Sequence, residues 1–112
     1  MPPPNPAFGP DHCPVEEALR LLSGKWRMLV LFRLEQGPLR FNALQRSLSP
    51  VTQKVLTTTL RALEADGLIW REVAQTVPPH VSYGLTSGAT ALSPVFAALA
   101  EWRLGAARMA ES

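Results

Sequence analysis

From Pro14 onward, apolar residues recur at helical spacing in separate stretches, each closed by a turn signal. Pro14 suits the first position of a helix, where its missing N–H has no partner to lose. Val15, Ala18, Leu19 and Leu22 follow on one face, and Ser23-Gly24 ends the stretch. A second helix is predicted from about Lys25 to Glu35. Trp26, Leu29, Val30, Phe32 and Leu34 make it broadly apolar, and Gly37-Pro38 stops it. A short third helix, about Arg40 to Leu48, carries Phe41, Leu44 and Leu48 at i, i+3 and i+7.

Ser49-Pro50 reads as a turn, because the residue before proline avoids helical dihedrals. Thr52 then caps a fourth helix that reaches about Ala65, with Leu56, Leu60 and Leu63 as its buried stripe. Asp66-Gly67 terminates it, since glycine takes the left-handed conformation after a last turn at no cost. The period then changes. Leu68 to Val73 reads as a strand, Pro78-Pro79 break the chain, and His80 to Leu85 alternate as the antiparallel return. Thr86 caps a last helical region in which Leu92, Val95, Phe96, Leu99, Trp102 and Ala106 mark one face. Pro94 either kinks or divides it.

The expected fold is mostly α within an α+β class: a winged helix-turn-helix with a two-stranded β-wing and a long C-terminal dimerisation helix. Residues 1–10 hold five prolines and predict neither helix nor ladder. We therefore expect a disordered arm at 1–11, the folded domain at 12–108 and a tail at 109–112.

Charge sharpens this picture. The 112 residues carry a net +2, but no Asp or Glu occurs between Glu35 and Glu64. That window holds Arg40, Arg46, Lys54 and Arg61, hence +4, against seven bases and nine acids elsewhere, hence −2. A local positive zone is what a polyanion footprint looks like; a solvated basic face is the plainer alternative. The outward side of the fourth helix favours the footprint, with an ordinary polar surface as the alternative. With its leucines inward, it offers Gln53, Lys54, Thr57, Thr58 and Arg61, with 54, 57, 58 and 61 on a single stripe. A major groove about 12 Å wide admits one such helix, and Gln and Arg can each pair twice with a base edge. Arg40 and Asn42 begin the helix that crosses the backbone, so they are candidates for phosphate contact. Gln45 and Arg46 are weaker candidates. His80, at the wing tip, can contact a phosphate when protonated or stand as an ordinary surface histidine.

Phe96, Leu99 and Trp102 would form an exposed apolar patch on a single protomer. A two-fold dimer buries such a patch against itself and sets two reading helices about 34 Å apart. The expected interface joins Val15 and Leu19 of the first helix to Phe96, Leu99, Trp102 and Ala106 of the last. Packing on the protein's own helices is the alternative, and both can hold together.

The single cysteine, Cys13, permits no internal disulfide. At a helix N-terminus the dipole and free N–H groups stabilise a thiolate, and a protonated His12 adds to that. Cys13 is thus a candidate redox or electrophile site, or a small packing residue. No metal-spaced cluster, phosphate loop or orienting third group accompanies it, so we expect no enzyme, cofactor or metal. The opening residues do not read as a signal peptide, and the longest apolar run, Met28 to Phe32, is too short for a bilayer. A cytoplasmic protein is expected.

These residues together resemble the HxlR-type winged helix-turn-helix regulators, relatives of the MarR-like repressors. The matching pieces are Cys13-Pro14-Val15-Glu16, Gly24-Lys25-Trp26, Leu39-Arg40-Phe41-Asn42-Ala43-Leu44 and Gln53-Lys54-Val55-Leu56-Thr57. Leu63 to Leu68, Val77-Pro78-Pro79, Tyr83 with Leu85-Thr86, and Pro94-Val95 with Trp102 complete them. The resemblance implies a bacterial cytoplasmic homodimer on an inverted-repeat operator of double-stranded DNA, with repression the usual outcome. It implies a dimer interface built from the first and last helices. It also implies regulation by a small electrophile or oxidant at the cysteine that matches Cys13. The chain departs from the family where His80 and Ser82 replace an Arg and a Glu, and where Ala89 replaces a glycine. A winged helix used only for protein contact is the rival reading. The acid-free window speaks against it, since a protein-binding surface has no need to exclude carboxylates.

Overall fold

A computed structural model describes residues 13–111, with side chains to residue 109. The expected arm at 1–11 lies outside the described residues. Helix α1 spans Pro14–Leu22 and α2 spans Lys25–Leu34, separated by Gly24 at φ 103°, where a β-carbon would be strained. Strand β1 is only Leu39–Arg40; α3 follows at Phe41–Ser47 and α4 at Gln53–Ala65. The wing is β2, Ile69–Ala74, and β3, His80–Leu85. A one-turn helix α5, Ser87–Thr90, precedes the long α6, Ser93–Glu111.

The core sits where α2, α3 and α4 meet the inner face of the sheet. Val30, Leu31, Leu44, Leu56, Leu60 and Leu63 are almost wholly excluded from water. The predicted inward stripe of α4 is therefore its buried stripe, which forces Gln53, Lys54, Thr58 and Arg61 to the outside. Thr52 caps α4 as expected: its hydroxyl oxygen accepts from the N–H of Val55 at 3.1 Å. Past Asp66, Gly67 takes φ 77° and the chain turns into the sheet.

The two-stranded wing carries a third strand that the hydrophobic pattern did not signal. The strand order is β1-β3-β2, all antiparallel, with Leu39 opposite Tyr83 and Arg40 opposite Ser82. Two residues hold no readable alternation; they are ordered by pairing with β3, a contact remote in sequence. Across the wing, Ile69 faces Leu85 and Arg71 faces Tyr83. Trp70 faces Gly84 on the outer side, and its indole lies so close over the glycine that a β-carbon there would overlap it.

The last helical region is divided. Thr86 caps α5 through the N–H of Ala89 and donates its own hydrogen to the carbonyl of Gly67 at 2.8 Å. Pro94 falls in the first turn of α6, where it needs no hydrogen-bond partner. The helix runs on through 109–111, past the boundary expected for the tail.

Phe96 follows the alternative given for it, packing on the protein's own helices. It is 8% exposed and packs on Phe32 with ring centroids 5.4 Å apart, so it belongs to the protomer's own core. The face that remains open on α6 is Val95, Leu99 and Trp102, alternating by four and three residues, with half-buried Ala106 next in step. On α1, Val15 and Leu19 are also open to solvent.

Candidate nucleic-acid interface

The helix-turn-helix and the wing enclose one groove of about 480 Å³. Arg40, Asn42 and Arg46 approach it from β1 and α3, Gln53 and Thr57 from the first half of α4, and Pro79, His80 and Tyr83 from the wing. Five of the eight residues predicted to contact DNA thus meet in one concavity, although they span forty positions of sequence. The cap at Thr52 fixes the entry of α4, and the leucine stripe fixes its rotation. Those two local facts place Gln53 and Thr57 at the groove rather than in the core.

Lys54 and Thr58 stand beside the groove on the exposed shoulder of α4. The Thr58 hydroxyl donates to the Lys54 carbonyl at 3.0 Å, so it presents its methyl and lone pairs, and no free hydrogen, to a ligand. Arg61 lies one turn further on. It shares a second hollow, of about 380 Å³, with Thr57, Glu64, Arg71 and Tyr83.

Unpaired cations are concentrated on this face, although Arg20 and Arg103 elsewhere also form no ion pair among the described residues. Among the described residues, Arg27 is tied to Asp66 at 2.9 Å, Arg33 reaches the carbonyl of Ser47, and Lys25 lies over the Trp26 ring. Arg40, Arg46, Lys54, Arg61 and Arg71 make no such contact with the described residues. Five cations line one side of the molecule without internal neutralisation, a standing attraction for a polyanion.

Sequence reasoning passed over Arg71 and Tyr83 and ranked Arg46 low. The signal for Arg71 was present: a base between Ile69 and Val73 on one side of an alternating strand faces the protein side of the sheet. Gln45, by contrast, spends its amide on the carbonyl of Val51 at 3.5 Å and supports the turn rather than the groove.

The chain matches the model of the HxlR-like helix-turn-helix family over residues 21–110. It belongs to that family. A relative from Methanothermobacter thermautotrophicus, described as an HTH-type transcriptional regulator, is 48% identical over 80% of this chain and 69% of its own length. YdeP of Bacillus subtilis, likewise described as an HTH-type transcriptional regulator, is 42% identical over 90% of this chain and 86% of its own. Among solved structures, the redox regulator HypR in its reduced form superposes with a TM-score of 0.80 at 38% identity, covering 88% of this chain and 98% of that one. The resemblance drawn from scattered motifs is therefore a true membership. This HxlR-like protein is a helix-turn-helix transcriptional regulator with a winged fold.

Cys13 occupies the N-cap position of α1 and is partly exposed. Its carbonyl accepts from the N–H of Glu17 at 3.0 Å, and its side chain makes no capping hydrogen bond. Glu16 and Glu17 share the same helix start, so two carboxylates compete with the thiol for the positive end of the dipole. Among the described residues no group of acids, histidines and cysteine is arranged to hold a metal ion, and no helix is long and apolar enough to cross a membrane.

Proposed function

We propose that this HxlR-like chain acts in the cytoplasm as a homodimer that binds an inverted-repeat operator in double-stranded DNA, and that its work is binding rather than catalysis. The observation that carries the reading is the groove shared by α3, α4 and β3, flanked by arginines and a lysine that no described carboxylate neutralises. In this reading Gln53 and Thr57 meet base edges in the major groove. Lys54, Thr58 and Arg61 flank them, and Arg40, Asn42 and His80 hold the sugar-phosphate backbone.

Dimerisation rests on the open faces of α1 and α6. Trp102 is 69% and Leu19 63% exposed, and together with Val15 and Leu99 they form apolar surface of the kind that a two-fold contact buries. Selection of bound DNA from a random pool tests the whole reading. We expect two inverted half-sites about one helical turn apart. Gln53→Ala or Thr57→Ala should relax preference at one base position per half-site. Recovery of no enriched sequence would contradict operator recognition.

We further propose control through Cys13, in keeping with the name redox regulator that HypR carries. Two Cys13 thiols joined as an intersubunit disulfide give up two protons and two electrons, which diamide accepts to become the hydrazine. The cross-link would change the separation of the two reading helices. Operator affinity measured before and after diamide, with Cys13→Ser alongside, decides it. The parent should weaken and the variant should not; unchanged affinity in the parent refutes the sensor.

A further inference from the structure

The second hollow, between α4 and the wing, has features that the base-reading groove does not explain. Arg61 reaches it from α4 and Arg71 from β2, and neither forms an ion pair among the described residues. Glu64 also lines it and is exposed, so the charged lining sums to two positive and one negative, a net +1. Tyr83 stands at the back. Its ring is buried against Phe41, with centroids 6.5 Å apart, and the whole side chain is 8% exposed. A phenol so deeply buried ordinarily satisfies its hydroxyl. Here the hydroxyl makes no hydrogen bond to any described residue, yet it is not sealed from solvent. It is a donor without an acceptor, beside two guanidinium groups that form no ion pair among the described residues.

The register explains the cluster. Arg71 pairs across the wing with Tyr83, so both project to the same side of the sheet, whereas Glu72 projects to the other. Thr57 and Tyr83 line this hollow and the larger groove alike, so the two sites share a wall. A duplex with its major groove on α4 and its minor groove at the wing must run one backbone strand between them.

We propose that this hollow seats that strand's phosphate, held by Arg61, Arg71 and the Tyr83 hydroxyl. The inference rests on the DNA-binding reading above. Two guanidiniums and one hydroxyl offer a phosphodiester charge-assisted bonds at once, and the anion relieves the repulsion between the two arginines. The site carries no base information; it sets the depth and angle at which α4 enters the groove.

The test compares parent, Arg71→Gln, Arg61→Gln and Tyr83→Phe as full-length chains, titrated onto a mixed-sequence duplex at several salt concentrations. Tyr83→Phe keeps the ring packing and removes only the donor, so its melting temperature should match the parent's. Each arginine variant should lower the slope of log affinity against log salt, the two together by no more than about one, the share of a single phosphate. Tyr83→Phe should bind about three- to tenfold more weakly, as loss of one hydrogen bond implies. Parent-like slopes and affinities in Arg71→Gln and Tyr83→Phe overturn the assignment. So does a parent that binds inorganic phosphate calorimetrically and an Arg71→Gln variant that does not, when the two hold duplex equally; the seat then belongs to a free anion. A parent that retains no duplex at low salt brings down the DNA reading itself, an outcome distinct from either.

Discussion

Single side chains set the first limits. Leu56 is fully buried at the centre of the α4 stripe, and truncating it removes both transfer energy and packing. Leu56→Ala should cost about 2–5 kcal/mol, read from the denaturant midpoint. Gly84 is held small by the indole of Trp70, which lies directly over it on the outer face of the wing. Gly84→Ala should displace that ring, lower stability by about 1–3 kcal/mol and shift the tryptophan emission. In a Trp70→Ala background the same change should be nearly neutral, because the obstructing ring is gone; an equal loss in both backgrounds would point to the backbone instead. Legibility at this scale was uneven. Leucines 56, 60 and 63 were readable because helical period alone assigns their face. Phe96 was not: its spacing fits both the core and the open face of α6, and only the position of Phe32 on a neighbouring helix decides for the core.

At the level of elements, boundaries followed local chemistry closely. Caps and breakers act within a few residues, so they are written where they operate: Pro14 at the start of α1, Thr52 before α4, Gly67 after it, Thr86 before α5. The Thr52 cap gives a direct test. Thr52→Ala should cost about 0.5–2 kcal/mol and Thr52→Ser should restore most of it. Since the cap also fixes the first turn that carries Gln53, DNA binding should fall more in Thr52→Ala than the stability loss alone accounts for. The ribbon of β2 and β3 was readable from its alternation, but β1 and the exact register were not. β1 has two residues and exists because β3 lies beside it. Arg71 and Tyr83 become neighbours only through the register of β2 on β3, which no local window contains. The candidate groove was legible on its α4 side, where local rules act, and on its wing side only at His80.

The whole molecule joins two surfaces with different chemistry. One is apolar and open along α1 and α6; the other is cationic, concave and lies across α3, α4 and the wing. The apolar surface predicts assembly. Trp102→Glu should place an unpaired carboxylate in the dimer seam and convert the particle to a monomer by sedimentation, with melting that no longer depends on protein concentration. Its operator affinity should drop steeply while binding to a single half-site persists, because a monomer loses the second reading helix and keeps the first. Arg27 and Asp66, joined at 2.9 Å between α2 and the end of α4, are partly exposed. Asp66→Asn should change stability by no more than about 1 kcal/mol and leave DNA binding intact.

The central claim is that the outward side of α4, free of carboxylates until Glu64 in its last turn, lies against nucleic acid, and its most direct measurement is the salt dependence of duplex binding by the purified protein with Lys54→Ala as comparator. The account predicts tight retention at low ionic strength and an affinity that falls linearly in log–log form with a slope of several. It also predicts a slope shallower by about one in the variant, the signature of one lost phosphate contact. A protein that holds no duplex even at the lowest salt, or a Lys54→Ala variant with the parent's affinity and slope, would contradict it.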